Sequence, residues 1–333
     1  MQIISPDLNI DFLRYRKITI GLSLIVIALG IAAAIARGGI PTGIDFAGGT
    51  EFQLRFDPGV TVDEGRLRDV VRGAGFLDAT VVRFGEVDAS EFLVKFKERP
   101  DESAGAEPEV EDGLEANTRV ARLEATIRQA IGPFVEQRVE YVGPKVGADL
   151  RRDGANSMLM AAIAILIYIA FRFNARYAPG AVVATFHDVF LTAGILVMAN
   201  IEFDLQILAA LLAIVGYSLN DTIIIYDRIR ENLELHPAQD LEAVLNLSVN
   251  QTMSRTVLTA GTTVLAVLAL LFLGGEVIFP FSFTMLIGIV VGTYSSIFIA
   301  SPLLLFLERR YGDRKTRGGT GKRSATRERT ARA

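Results

Sequence analysis

The 333-residue chain has no cysteine, no tryptophan and two histidines, His187 and His236. Without thiols, neither a disulfide framework nor a thiolate metal site can form, and cysteine usage says nothing of redox compartment. Two imidazoles far apart in the sequence are too few for a histidine-based metal site. No Walker-type phosphate loop occurs, so ATP is not a direct fuel. The expectation is a protein without metal or organic cofactor, and not an enzyme.

Long apolar runs are what the chain does have. Half of its residues are hydrophobic and the mean hydropathy is +0.36, which argues for a membrane protein. A spanning helix needs about 20 largely apolar residues. Six runs qualify: Ile18 to Ala36, Ser157 to Phe171 (short unless it reaches back through Ala155 toward Ala148), Pro179 to Met198, Leu205 to Tyr226, Thr256 to Leu273, and Phe281 to Leu307. The first lies well inside the chain and lacks the flanks of a cleavage site, so it reads as a retained anchor.

Lys and Arg in short loops set orientation. Arg14, Arg16 and Lys17 precede the first span, Arg172 and Arg176 follow the second, Arg228 and Arg230 follow the fourth, and ten basic residues lie from Arg309 onward. With six spans these all fall on one side. ANIEFDL and GGEVIF, on the other, contain neither Lys nor Arg. Arg151 and Arg152 are the exception. The expected layout is a cytoplasmic segment 1–17, the first span 18–36, an exported domain 37–148, spans two to six within 149–307, and a basic cytoplasmic tail 308–333.

The segment 37–148 holds 21 Asp and Glu against 14 Lys and Arg, which excludes a nucleic-acid surface. Alternation at Glu51–Phe56, Thr80–Phe84, Phe92–Phe96 and Val135–Val142 predicts strands, and spacing at Val62–Ala74 and Leu114–Ile131 predicts helices. The order βαββαβ is that of a ferredoxin-like α+β domain. RPDESAGAEPEVEDG should be a mobile loop and the tail after Tyr311 unstructured.

Polar residues recur inside the spans at helical spacing. They are Thr185, Asp188 and Thr192 in the third; Tyr217, Asn220 and Asp221 in the fourth; and Gln251, Arg255, Thr259 and Thr262 in the fifth. In the sixth, Thr284, Gly288, Gly292, Ser295 and Ser296 form a small-residue face suited to close helix approach. A charge at a helix centre costs about 2.5 to 3.5 kcal/mol on insertion scales. Asp188, Asp221 and Arg255 must therefore face the bundle interior, with Asp221 and Arg255 the expected pair. A buried carboxylate beside a movable cation can titrate, which makes Asp221 and Arg255 the leading candidates for proton coupling. Asn220, Asp188 and His187 are weaker candidates. Asp227 to Asn232 read as the helix end and its loop.

The stretches GIDFAGGT (43–50), VGPKVG (142–147), FHDV (186–189), SLNDTIIIYDRIREN (218–232) and NQTMSRTVLT (250–259) resemble the SecD/SecF family of protein-export membrane proteins, its SecF branch, within the resistance-nodulation-cell division superfamily. The resemblance runs from the first span to Phe306. It implies an accessory subunit of the Sec translocon in the bacterial inner membrane that uses the proton-motive force in protein export. The coupling ion would be H⁺, with Na⁺ as the alternative. The implied partners are a SecD-like subunit, SecYEG, YajC, YidC and the translocating polypeptide. Asp221 and Arg255 would be the coupling aspartate and its companion arginine. A stand-alone proton-coupled exporter of the same superfamily would need two large loops and about twelve spans. An intramembrane aspartyl protease would need a GxGD pattern, which GYSLND does not supply.

Overall fold

The computed structural model describes residues 9–84, 90–97, 111–172 and 177–311. Six of its helices are long and apolar enough to cross a membrane: Leu13–Ala36, Pro144–Arg172, Ala178–Met198, Leu205–Leu235, Leu241–Leu273 and Val277–Arg310. The bundle contains α1 (Arg16–Ala36), α5 (Pro144–Arg172), α6 (Ala178–Met198), α7 (Leu205–Leu235) and α8 (Leu241–Leu273), and closes with α9 (Gly275–Ser295), a π-helical turn Ser296–Ala300 and α10 (Ser301–Tyr311). Between α1 and α5 lie the single-turn α2 (Ile44–Ala47), β1 (Gly49–Phe56), α3 (Glu64–Gly73), β2 (Thr80–Phe84), β3 (Glu91–Lys97), α4 (Glu111–Ala130) and β4 (Phe134–Val142).

Several helices outrun their apolar cores. The second spanning helix starts at Pro144, not Ser157, because proline is well placed in a first helical turn and the intervening polar residues are helix-compatible in water. Likewise α8 begins at Leu241, where Asp240 caps it by accepting from the Glu242 amide at 3.1 Å. The fourth helix continues past Tyr226 to Leu235, tied by ion pairs of Arg172 with Asp227 (3.1 Å) and Arg228 with Glu231 (2.6 Å). The stretch expected as an acidic loop falls largely outside the described residues, but its last three, Glu111 to Gly113, already belong to α4. Residues 312–333 of the basic tail also lie outside them.

The extramembrane domain is a four-stranded antiparallel sheet in the order β2-β3-β1-β4, with α3 and α4 on one face. This is the ferredoxin-like arrangement that the βαββαβ pattern predicts. Period-2 alternation sends Phe52, Leu54 and Phe56 inward and leaves Glu51, Gln53 and Arg55 outward. Opposite them, Phe92, Val94 and Phe96 complete the sheet's inner layer. Leu67 and Val71 of α3, and Val120, Leu123 and Ile127 of α4, supply the helical side at i, i+3, i+4 and i+7 spacing. Edge-to-face pairs Phe56–Phe92 and Phe56–Phe134, at 5.8 and 5.7 Å, fix that core's geometry. On the outer face Glu51 and Lys95, directly opposite in the register, form a 3.0 Å ion pair.

Two glycine motifs join domain to bundle. Gly48 has φ +81°, a left-handed conformation, and a Cβ there would lie 2.9 Å from Pro144 Cα. A Cβ on Gly49 would lie 2.5 Å from the Phe96 carbonyl oxygen. GIDFAGGT and VGPKVG thus pack backbone against backbone where α5 begins. The same knot holds the α6–α7 connection. Gly43 N donates to Phe203 O and Phe203 N to Pro41 O, both at 2.7 Å; Leu205 N donates to Asp45 Oδ2 at 3.0 Å; and Lys97 pairs with Glu202 at 2.9 Å.

Within the bundle, half or more of the most apolar window is buried in α6, α7 and the last span, against 11% in α1, α5 and α8. The former three make the core, and the latter three leave broad faces outward. The small-residue face of the last span does what its spacing predicts: Gly288 meets Ile214 and Gly292 meets Ser218, bringing α9 close to α7.

Candidate functional site

Two carboxylates lie inside the bundle, each with 0% exposure: Asp188 on α6 and Asp221 on α7. Their surroundings differ. Asp188 Oδ2 accepts from Ser295 Oγ at 2.7 Å and also from Ser218 Oγ, while its Oδ1 is bonded to His187 Nδ1 at 2.9 Å. Its oxygens are thus held by three helices' worth of donors, which is how a buried charge is tolerated. Neighbouring residues on a helix point about 100° apart, so His187 and Asp188 were not expected to share a partner; instead the ring folds back and each is the other's partner.

One turn beyond Ser218, Asp221 accepts no hydrogen bond on either oxygen from the described residues. The expected ion pair with Arg255 is not closed: among the described residues no Arg255 nitrogen comes within 4 Å of an Asp221 oxygen, although Arg255 acts on Asp221 electrostatically. The physical reason is the direction of the fifth helix. Its polar stripe faces away from the core, with Gln251, Arg255 and Thr262 exposed and Thr259 half-buried. Asn220 is also exposed, and Tyr217 half-buried. The α6 stripe, by contrast, is wholly internal: Thr185, Asp188 and Thr192 are buried.

Sequence reasoning did not single out Ser218 as a ligand of Asp188, since it lies in a motif whose charge drew attention to Asp221. Nor did it find the π turn at Ser296–Ala300, which opens right after Ser295. There Ser296 Oγ meets Thr222 Oγ1 at 3.0 Å, and the Ala300 carbonyl accepts from Tyr226 Oη at 3.0 Å. Such turns are frequent at functional sites because they re-aim side chains within a helix. Among the described residues no cluster of His, Asp or Glu could hold a metal ion.

Fold and site define a class: a polytopic helical membrane protein with one ferredoxin-like extramembrane domain and carboxylates buried in its bundle. The family model described as "Protein export membrane protein SecD/SecF, C-terminal" matches residues 123–310, and the SecD/SecF GG motif matches 38–60, which contains the Gly48–Gly49 knot. The protein translocase subunit SecF of Desulfurispirillum indicum is 40% identical over 306 residues, 91% of this chain and 93% of that one. That of Thermodesulfovibrio yellowstonii is 42% identical over 303 residues, covering 90% and 95%. The crystal structure of SecDF, a translocon-associated membrane protein from Thermus thermophilus, superposes with a TM-score of 0.75 at 35% identity over 92% of this chain. A second SecDF structure, in a super-membrane-facing form, gives 0.66. The chain spans 40% of the length of each of these SecDF proteins. The chain belongs to the SecD/SecF family of protein-export membrane proteins, and the relatives above are protein translocase subunits.

Proposed function

We propose that the chain is the SecF-type half of a SecD/SecF pair that uses the proton-motive force to assist polypeptide export across the bacterial cytoplasmic membrane. In this reading Asp221 gains and loses the coupling proton, and Arg255 is the cation that closes on it in one stage of the cycle. The observation that carries it is the contrast between a fully buried carboxylate with no hydrogen-bond partner among the described residues and a guanidinium left exposed on the neighbouring helix. A bare anion there is expensive. A proton or an approaching guanidinium each removes the cost, and those two solutions define two arrangements of the bundle. Each proton crossing the full membrane potential supplies about 2.3 kcal/mol per 100 mV, enough to bias such a two-state element.

The polar stripe of Asn220, Gln251 and Arg255, costly against lipid, fits a face covered by a SecD-like subunit. Further partners in this reading are SecYEG, YajC, YidC and the translocating chain, with H⁺ as the coupling ion and both termini cytoplasmic. The extramembrane domain then lies on the exported side. Asp188, whose oxygens are already bonded to Ser218, Ser295 and His187, and His187 itself are the weaker candidates for that path.

The test is export and proton flux in proteoliposomes holding the partner subunit. Asp221→Asn and Arg255→Met should each assemble yet lose proton-dependent stimulation. Unchanged export and flux in both variants would refute the coupling role, and recovery of function when both are replaced together by apolar residues would reduce the pair to a structural one.

A further inference from the structure

A groove of about 620 Å³ runs along the outside of the bundle where α1, α6 and α10 meet, on other helices than the polar stripe. Its size falls in the range of about 300–1,000 Å³ typical of ligand sites. Ile20, Leu24, Val183 and Phe190 make its walls apolar. Two polar groups break that pattern. At one end, where α1 begins, Arg16 and Lys17 line it. Arg16 is committed, donating to Glu242 at 2.5 Å and to the Leu13 carbonyl at 3.1 Å. Lys17 is exposed and has no ion pair among the described residues. The other group is His187. Its side chain is 10% exposed, and Nε2 lies buried on the groove wall without a hydrogen-bond partner among the described residues.

Gly30 of α1 packs on Gly194 of α6, and the two spans run in the same direction. Counting back from that crossing at about 1.5 Å per residue puts His187 roughly 9 Å deeper along the bundle than Lys17. Nδ1 is occupied by Asp188, so in the net-neutral state of this buried acid–base pair Nε2 carries a hydrogen and needs an acceptor. In hydrocarbon such a donor cannot be left to solvent.

We propose that the groove is a binding site for one anionic phospholipid. Its phosphate sits at Lys17, its glycerol-ester carbonyls accept from His187 Nε2, and an acyl chain lies along Leu24, Val183 and Phe190. A positive head end, a donor one headgroup depth below and an apolar slot beyond match that molecule in order. An extended protein segment would need further polar partners for its backbone, which the groove does not offer, and a transmembrane helix, whose carbonyls are bonded within the helix, has no backbone acceptor to give His187 Nε2.

Native mass spectrometry of the full chain in detergent, with dioleoyl phosphatidylglycerol or dioleoyl phosphatidylcholine added in equal amounts, tests this. Wild type should retain one phosphatidylglycerol, favoured over phosphatidylcholine about fivefold, the selectivity of one near-surface cation. Lys17→Gln should abolish that preference, and His187→Phe should lower retention of both lipids alike. A diether phosphatidylglycerol, which has no ester carbonyl, should bind wild type as weakly as the diester binds His187→Phe. Val183→Trp, which fills the slot, should lose the lipid with its melting temperature unchanged. Equal retention of the two headgroups, indifference to Lys17→Gln, equal binding of diether and diester lipids, or a photo-cross-link from position 183 to protein instead of lipid would overturn the proposal. None of these readouts depends on export or proton flux.

Discussion

The α7–α9 contact is where a single methyl group has the most predictable effect. A Cβ added at Gly288 would fall well inside van der Waals contact with Ile214 Cδ1 and Cγ1 and lie 2.9 Å from Cγ2, and Ile214 is fully buried. Gly288→Ala therefore overpacks the helix pair and should cost about 1–3 kcal/mol. Ile214→Ala opens a cavity instead. Side-chain transfer between protein interior and lipid contributes little, since lipid tails are equally apolar, so the loss should sit at the low end of the usual range, about 2 kcal/mol. All three atoms that the new methyl strikes belong to the Ile214 side chain beyond Cβ and vanish in Ile214→Ala. The double variant should accordingly be about 1–2 kcal/mol more stable than the sum of the singles predicts. Equilibrium unfolding in mixed detergent–SDS micelles, followed by loss of helix packing, measures each corner of the cycle. Additivity to within about 0.5 kcal/mol would refute the claim that Gly288 is small because Ile214 occupies its space.

Other consequences can be checked on the full chain. Gly49→Ala places a methyl against the Phe96 carbonyl and should destabilise the domain by more than about 2 kcal/mol, read as early protease cleavage between residues 49 and 142. Asp204 caps α7 by accepting from the Ile207 amide at 2.8 Å, and burial holds its pKa above the usual carboxylate range. Asp204→Ala should thus cost about 0.5–2 kcal/mol, while Asp204→Asn, which keeps the cap and removes the charge, should be neutral or stabilising by thermal unfolding. Burial, and next the neighbouring Glu136, push Glu124 above its normal value of 4.5. Because the folded state favours the protonated form, stability from this group is present at low pH and is lost as pH rises through the folded-state value. The melting temperature of Glu124→Gln should therefore gain on wild type from pH 4.5 upward, and a difference that shrinks over that window would refute the assignment.

The six spans and the ferredoxin-like domain were legible in the chain because each rests on a local period: about 20 apolar residues for a span, alternation for Phe52, Leu54 and Phe56, and i, i+3, i+4 spacing for α3 and α4. The small-residue face Gly288–Gly292 was legible for the same reason. Helix ends were not, since nothing in hydropathy distinguishes a polar helical turn such as Pro144–Ala155 from a loop.

What the sequence determined by itself is the inventory: which residues are too polar for lipid, and on which helix they sit. What only the tertiary structure decided is their company. Asp188 and Asp221 look alike as carboxylates in apolar helices, yet one is saturated by Ser218, Ser295 and His187 and the other has no hydrogen-bond partner among the described residues. That difference depends on the rotation of α6, α7 and α9 about their own axes and on the close approach that Gly288 and Gly292 permit. Periodicity fixes which residues share a face, but the neighbour that face meets is set by packing across the whole bundle. For the same reason Arg255, expected inside with Asp221, lies on the outward face of α8, and it is in the proposed cycle that a change in packing or a second subunit brings the two together.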